Sequence, residues 1–278
     1  FLPVFGLLVL IWEAGARRTA GRRHPWLEAL LHEIGWLVLA GVLMVAAYLA
    51  TWSGWLLTDG GYFRHWRAES GLGEPTVLGA LDNLYRYHRA ALDFHTGLTA
   101  THTYQSWPWE WLVLGRPVAF YYSNAGGCGA ESCSSEILLL GTPLLWWSFL
   151  PALAVTAWLG VARRDWRAPT IMLCAAAGVL PWFWYAMDDR TMFYFYAAPA
   201  QPFLVLAVVY ALGGLMTPGP APVAAVDRAQ RRTVGAIVTG VYVLLVGLCF
   251  AYFHPIYTGK LLTYGEWAAR MWLGKHWI

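Results

Sequence analysis

Between His102 and Tyr122 the chain gathers side chains suited to an oxygen-rich, charged ligand. His102-Thr103-Tyr104-Gln105-Ser106-Trp107-Pro108-Trp109-Glu110-Trp111 leads to Arg116-Pro117 and then Tyr121-Tyr122. Sugars stack on Trp and are held by side-chain hydrogen bonds, while a phosphate calls for Arg. An interfacial belt of Trp and Tyr would show similar composition with no ligand. His88, His95 and His102 recur every seven residues. On a helix that is ~10.5 Å of rise, too far apart for ligands that must each lie about 2.0–2.1 Å from one ion, so no metal is expected. Glu110 could instead orient one of these imidazoles. Cys128 and Cys133 stand in Gly126-Gly127-Cys128-Gly129-Ala130-Glu131-Ser132-Cys133. An oxidising compartment would let them pair; two free loop thiols are the alternative.

The elements that must position these residues are membrane spans. Of 278 residues, 58% are hydrophobic, only 13% are charged and 18 are Trp. Soluble domains carry roughly 25% charged residues, so a soluble globular enzyme and a disordered chain are both excluded. A net charge of +3 without a basic run gives no reason to expect a nucleic-acid partner. Apolar stretches run through 1–12, 34–57, 137–162, 169–187, 191–215 and 234–254, and every Asp, Glu, Lys and Arg lies outside them. Five reach the ~20 residues a bilayer-crossing helix needs. Residues 1–12 read as the stub of a span cut from a longer protein.

Charge orients the spans. The connections 13–33, 163–168 and 216–233 hold ten basic against five acidic residues, whereas 58–136, 188–190 and 255–278 hold nine against eleven. The positive-inside rule assigns the first set to the cytoplasm and leaves the C-terminus outside. The implied organisation is a truncated span (1–12), a cytoplasmic loop (13–33), a span (34–57), an extracytoplasmic loop (58–136), a four-span region (137–254) and an outer tail (255–278). Within the large loop, Leu78, Leu81, Leu84, Tyr85, His88, Leu92, His95 and Leu98 form a helical stripe over 77–98, with Asp82, Asn83, Arg86, Arg89 and Asp93 directed elsewhere. That pattern predicts an amphipathic helix lying in the membrane interface. A second is expected in the tail, where Trp267, Met271, Trp272 and Trp277 accompany Lys260, Arg270 and Lys275. Pro181, Pro199 and Pro202 should bend their spans, and Thr217–Val226 is a Pro- and Ala-rich connector.

The run His102-x-Tyr104-x-Ser106, the Trp-Pro-Trp-Glu-Trp after it, Arg116-Pro117 and the Tyr pair are joined by two further stretches. These are Gly141-Thr142-Pro143-Leu144-Leu145-Trp146-Trp147 and Arg190-Thr191-Met192-Phe193-Tyr194-Phe195-Tyr196-Ala197-Ala198-Pro199. In this order they resemble the C-terminal region of the protein O-mannosyltransferases, over roughly residues 34–276. Two departures stand out. Many family members carry His-Tyr where this chain has Phe195-Tyr196, and 79 loop residues leave no room for the β-trefoil module of eukaryotic members. The chain therefore looks like a bacterial member, and its Ala, Arg and Trp usage points to an actinobacterial one.

The resemblance implies an all-α integral membrane fold, the C-terminal half of a GT-C-type multi-span bundle with its site at the outer face of the plasma membrane. It implies a glycosyltransferase moving mannose from polyprenyl-phosphate mannose to Ser or Thr hydroxyls of exported polypeptides, among membrane lipids and with no covalent cofactor, working either alone or beside the secretion translocon. The family's catalytic acid lies in the N-terminal half, so no general base is assigned here and the fragment alone is expected to be inactive. Asp188-Asp189 is the tempting substitute, but Arg190 beside it reads as a charge partner. Arg190, at the depth of a lipid phosphate, is the candidate for stabilising the departing phosphate, with Arg116 second; an interfacial snorkelling Arg is the alternative. His102, Tyr104, Ser106, Trp107, Glu110, Tyr194 and Tyr196 are the candidates for substrate contact. A lipid-linked glycosyltransferase with another sugar or acceptor remains open, as does a noncatalytic membrane subunit or transporter; a transporter should carry ionisable groups within its spans, and these have none.

Overall fold

The computed structural model describes residues 1–73, 76–124, 126–217 and 225–277. The chain forms two compact units, Leu2–Thr99 and, with Phe1, Ala100–Ile278.

In the first unit, helix α1 (Leu2–Thr19) pairs with α2 (Pro25–Thr51). Proline at the first helical position starts α2 nine residues earlier than the apolar stretch suggested, so Glu28, His32 and Glu33 belong to the helix rather than to the preceding loop. Two short helices, α3 (Ser53–Leu57) and α4 (Trp66–Glu69), precede the amphipathic helix α5 (Val77–Thr96), whose first turn is capped by the Thr76 hydroxyl accepting from the Gly79 N–H at 3.2 Å. The buried face of α5 differs from the expected stripe. Ala80, Asn83 and Leu84 are buried, while Leu78, Tyr85 and Leu92 are exposed. Asn83, read from sequence as pointing away, is fully buried: its amide oxygen accepts from the Arg67 N–H at 3.2 Å and its Nδ2 donates to the Arg64 carbonyl at 2.7 Å. One side-chain amide thereby satisfies a backbone donor and a backbone acceptor at once. His88 is engaged by the Leu84 carbonyl (2.7 Å) and the Tyr48 hydroxyl.

The second unit opens with the short helix α6 (Pro108–Trp111), strand β1 (Val118–Ser123) and strand β2 (Cys133–Leu139). Helices α7 (Pro143–Trp147) and α8 (Phe149–Arg163) follow, then α9 (Arg167–Val179) and α10 (Pro181–Met187). A 3₁₀ turn over Tyr194–Ala200 runs into α11 (Gln201–Met216), and α12 (Ala225–Tyr257) is the last span. Five helical stretches are long and apolar enough to cross a membrane: Pro25–Thr51 in the first unit, and Pro143–Arg163, Arg167–Met187, Tyr194–Met216 and Asp227–Tyr257 in the second. The chain is a multi-pass membrane protein. Pro181 opens α10, Pro199 lies in the 3₁₀ turn and Pro202 starts α11, so each marks a change of helix geometry. Of the connector Thr217–Val226, residues 218–224 lie outside the described residues.

A boundary and two elements of this unit depart from the sequence expectation. Ile137–Leu139 is strand rather than the start of a span, and the helix begins only at Pro143. A buried strand and a buried helix share the same apolar run, and the Gly-Thr-Pro break decides between them. The all-α bundle thus carries a small antiparallel sheet, ordered β1-β2-β3 with β3 at Leu262–Thr263. The Cys128–Cys133 disulfide ties the β1–β2 connection to the first residue of β2. Nor does the tail form an interfacial helix. The tail helix α13 (Tyr264–Ala268) has only five residues, and Trp267 within it and Met271 and Trp277 beyond it are buried in this unit's core. Their burial is specified by polar anchors: Trp267 Nε1 donates to the Glu136 carboxylate at 2.6 Å and Trp277 Nε1 to the Leu114 carbonyl at 2.7 Å.

Small residues let the spans approach. A methyl group on Gly178 of α9 would stand 2.7 Å from the Ala200 side chain and 2.8 Å from its Cα. This contact fixes the end of the 3₁₀ turn against α9, and with it the aromatic residues the turn carries.

Candidate functional site

The site is built where α10 ends. Asp188 closes the helix, Asp189 takes the left-handed conformation (φ +50°), and the Arg190 N–H returns to the Tyr185 carbonyl at 3.2 Å. This is the closing bond of a Schellman turn, and it reverses the chain so that Asp188 and Asp189 stay exposed while Arg190 is 95% buried. Three rings surround the guanidinium: Tyr196 at 5.3 Å, Tyr185 at 5.6 Å and Trp182 at 5.8 Å from its central carbon. Tyr196 stacks on Trp182 (4.6 Å, 22°). Such π faces hold a guanidinium by attraction of its charge to the ring quadrupole. Its Nη1 reaches the Thr191 carbonyl at 3.4 Å and Nη2 the Tyr196 hydroxyl at 3.5 Å, both long for hydrogen bonds.

The 102–111 segment and the 190–196 segment, far apart in sequence, meet here. The Ser106 N–H donates to the Met192 carbonyl at 3.0 Å, and the Thr191 hydroxyl donates to the Ala100 carbonyl. The His102 ring stands edge-on to Phe193 (5.1 Å), and Trp111 packs edge-on against Trp182 and Tyr196 (6.2 Å each). His102 is exposed, and its Nδ1 accepts from the Tyr104 N–H at 3.1 Å. The neutral ring therefore carries its proton on Nε2, as a donor toward solvent or ligand. Beside this lies an aromatic shelf: Trp107 stacks on exposed Trp109 (5.5 Å, 11°), which approaches Phe183 at 6.2 Å.

Several sequence candidates are engaged in contacts within the protein. Ser106 is fully buried, its hydroxyl accepting from Trp111 Nε1 at 3.0 Å. Tyr194 is buried, with its hydroxyl accepting from the Gly141 N–H at 3.1 Å and its ring on Trp146. Glu110 orients no imidazole; its carboxylate accepts from the Trp107 N–H at 2.7 Å and caps α6. Arg116 holds the carbonyls of Thr103 (2.9 and 3.2 Å), Lys275 (3.1 Å) and His276 (3.2 Å) and lies over the Tyr104 ring. It clamps the loop to the tail. Sequence reasoning missed Trp182, Tyr185 and Phe193 as part of the site. A signal existed for the first two, since three residues apart on a helix places them on one face. Among the described residues no three of His, Cys, Asp and Glu converge.

Comparison with known proteins follows the same lines. The family described as the C-terminal four TMM region of protein-O-mannosyltransferase matches residues 80–277. The polyprenol-phosphate-mannose--protein mannosyltransferase of Mycobacterium tuberculosis is 35% identical over 286 residues, covering 98% of this chain and 52% of that protein. Its namesakes in Mycolicibacterium smegmatis and Corynebacterium glutamicum are 36% and 29% identical, each covering 98% of this chain and 53% of the relative. The chain thus spans about half the length of the curated relatives it matches. The S. cerevisiae protein O-mannosyltransferase Pmt1-Pmt2 complex bound to the sugar donor shares the fold, with a TM-score of 0.56 at 19% identity over 74% of this chain and 27% of that one.

Proposed function

Because this chain belongs to the protein O-mannosyltransferase family through its C-terminal four-span region, with the GT-C multi-span helical fold of that family, we propose that it is the membrane half of a protein mannosyltransferase. The donor is polyprenyl-phosphate mannose and the acceptor a Ser or Thr hydroxyl of a polypeptide crossing the bacterial plasma membrane beside the secretion translocon. The site and the C-terminus face the extracytoplasmic side. The general base comes from the rest of the full-length protein.

The observation that carries this reading is Arg190, a permanently charged group set among Trp182, Tyr185 and Tyr196 at the end of a membrane span. When the sugar leaves, negative charge grows on the phosphate oxygens. A guanidinium already oriented by three rings meets that charge without reorganising, so its contacts strengthen in the transition state. His102 Nε2 and the Trp107–Trp109 shelf are suited to the sugar hydroxyls and ring face.

The test uses full-length protein in proteoliposomes, with polyprenyl-phosphate mannose and a Ser/Thr peptide. Arg190→Lys keeps the charge but loses the bidentate fork. Losing one charge-assisted contact of about 1.5–3 kcal/mol should lower kcat by about 10- to 150-fold, with a smaller change in donor KM. An unchanged kcat, or a pure KM effect, refutes the phosphate role of Arg190.

A further inference from the structure

The opposite end of the four-span bundle holds a second feature that the transfer reaction does not use. Chain order puts the end of α8, the start of α9, the end of α11 and the start of α12 together there, and with them Arg163, Arg164, Arg167, Arg228, Arg231 and Arg232. Two carboxylates accompany them. Asp165 is occupied by Arg167 at 2.6 Å, and those hydrogen bonds hold its carboxyl down at about 2. Among the described residues, Arg164, Arg228, Arg231 and Arg232 have no ion-pair partner, and Arg163 meets only the neutral Gly214 and Thr217 carbonyls and the Thr217 hydroxyl at 3.2–3.4 Å. Five guanidinia therefore share this end with one free carboxylate, Asp227.

Between α8, α11 and α12 the surface opens into a groove of about 730 Å³. A methyl group on Gly235 would stand 2.7 Å from the Leu215 carbonyl oxygen, so α12 lies directly on the last turn of α11. The groove wall changes character along α12. Asp227, Gln230 and Arg231 line its mouth together with Arg163, and Val234, Val238 and Leu215, all exposed, line the part that continues into the membrane-spanning segment.

We propose that this groove binds one anionic phospholipid, with Arg163 and Arg231 on its phosphate and Leu215, Val234 and Val238 along its acyl chain. The charge excess selects an anionic headgroup over a zwitterionic one, and the apolar continuation into the span selects a lipid over a free anion. General attraction of basic loops to a membrane would need neither the groove nor a fixed stoichiometry. Nothing here depends on the transfer reaction, so the mannosyltransferase reading and the lipid site stand or fall separately.

Full-length protein is reconstituted into nanodiscs of phosphatidylcholine containing phosphatidylglycerol, and the lipids it retains on release are counted by native mass spectrometry. One phosphatidylglycerol per chain should be retained in preference to phosphatidylcholine. Removing an arginine near a membrane surface weakens such attraction about fivefold, so Arg231→Ala should cut the preference by that factor. Asp227→Asn should raise it, and Val234→Trp should lower it by filling the apolar wall. A large excess of inorganic phosphate should not displace the lipid. The proposal is overturned by retention in bulk lipid proportions, by Arg231→Ala and Asp227→Asn shifting retention in the same direction or not at all, or by displacement with phosphate.

Discussion

Trp267→Phe tests how the C-terminal tail is docked. Its indole N–H is a 2.6 Å donor to Glu136, a carboxylate 97% buried on β2. Burial pushes the Glu136 carboxyl above its ordinary 4.5, and the Trp267 bond partly opposes that rise. A raised carboxyl binds its proton more tightly in the folded state. Its contribution to stability is therefore present at low pH and lost as pH climbs from 4.5 through the raised value. Phenylalanine keeps most of the ring and removes the donor. Above the raised value the carboxylate then loses its charged hydrogen bond, at about 1.5–3 kcal/mol; at acid pH the carboxyl takes a proton and the loss is smaller. Thermal unfolding of purified full-length protein at pH 5 to 8 should show a Trp267→Phe deficit of several degrees that widens as pH rises. Glu136→Gln retains an acceptor for the indole without the charge, so its own pH dependence should be flatter than wild type, and in that background Trp267→Phe should lose its pH-dependent part. A deficit equal at both pH extremes, and equal in the Glu136→Gln background, would refute the coupling.

Two further outcomes follow from the site. Ser106→Ala should cost about 1–3 kcal/mol by leaving the buried Trp111 indole N–H without its acceptor, lowering the unfolding temperature while donor KM stays at its wild-type value; a raised KM with unchanged stability would return Ser106 to the binding surface. Arg116→Lys cannot span the Thr103, Lys275 and His276 carbonyls with one ammonium, so hydrogen exchange at Gly274–Trp277 should accelerate, and unchanged protection there would show that the tail is held without the clamp.

The spans were legible because a bilayer imposes a length and a charge exclusion that composition alone records. All five full-length stretches lie mainly in membrane-length helices, and the amphipathic helix α5 stands within two residues of its expected end. What sequence could not arbitrate were runs compatible with two structures. Ile137–Leu139 satisfies a buried strand and a span equally, and the tail tryptophans satisfy an interfacial belt and a core equally. Glu136 and Leu114 settle the second question from 131 and 163 residues away, beyond the reach of any local pattern.

The site divides in the same way. The residue types in His102–Trp111 and Arg190–Pro199 already specified aromatic faces, imidazole and guanidinium, because chemistry of that kind is a property of side chains. Which of them faces a ligand is a property of the backbone. A left-handed residue at Asp189 turns Arg190 into its three rings and leaves the neighbouring carboxylates outside, while a close contact at Gly178 fixes the turn that carries Tyr196 and buries Tyr194. Sequence named the functional groups, and tertiary packing assigned Ser106, Glu110, Tyr194 and Arg116 to holding the site together, because a buried polar atom takes whichever partner the fold brings within hydrogen-bond reach.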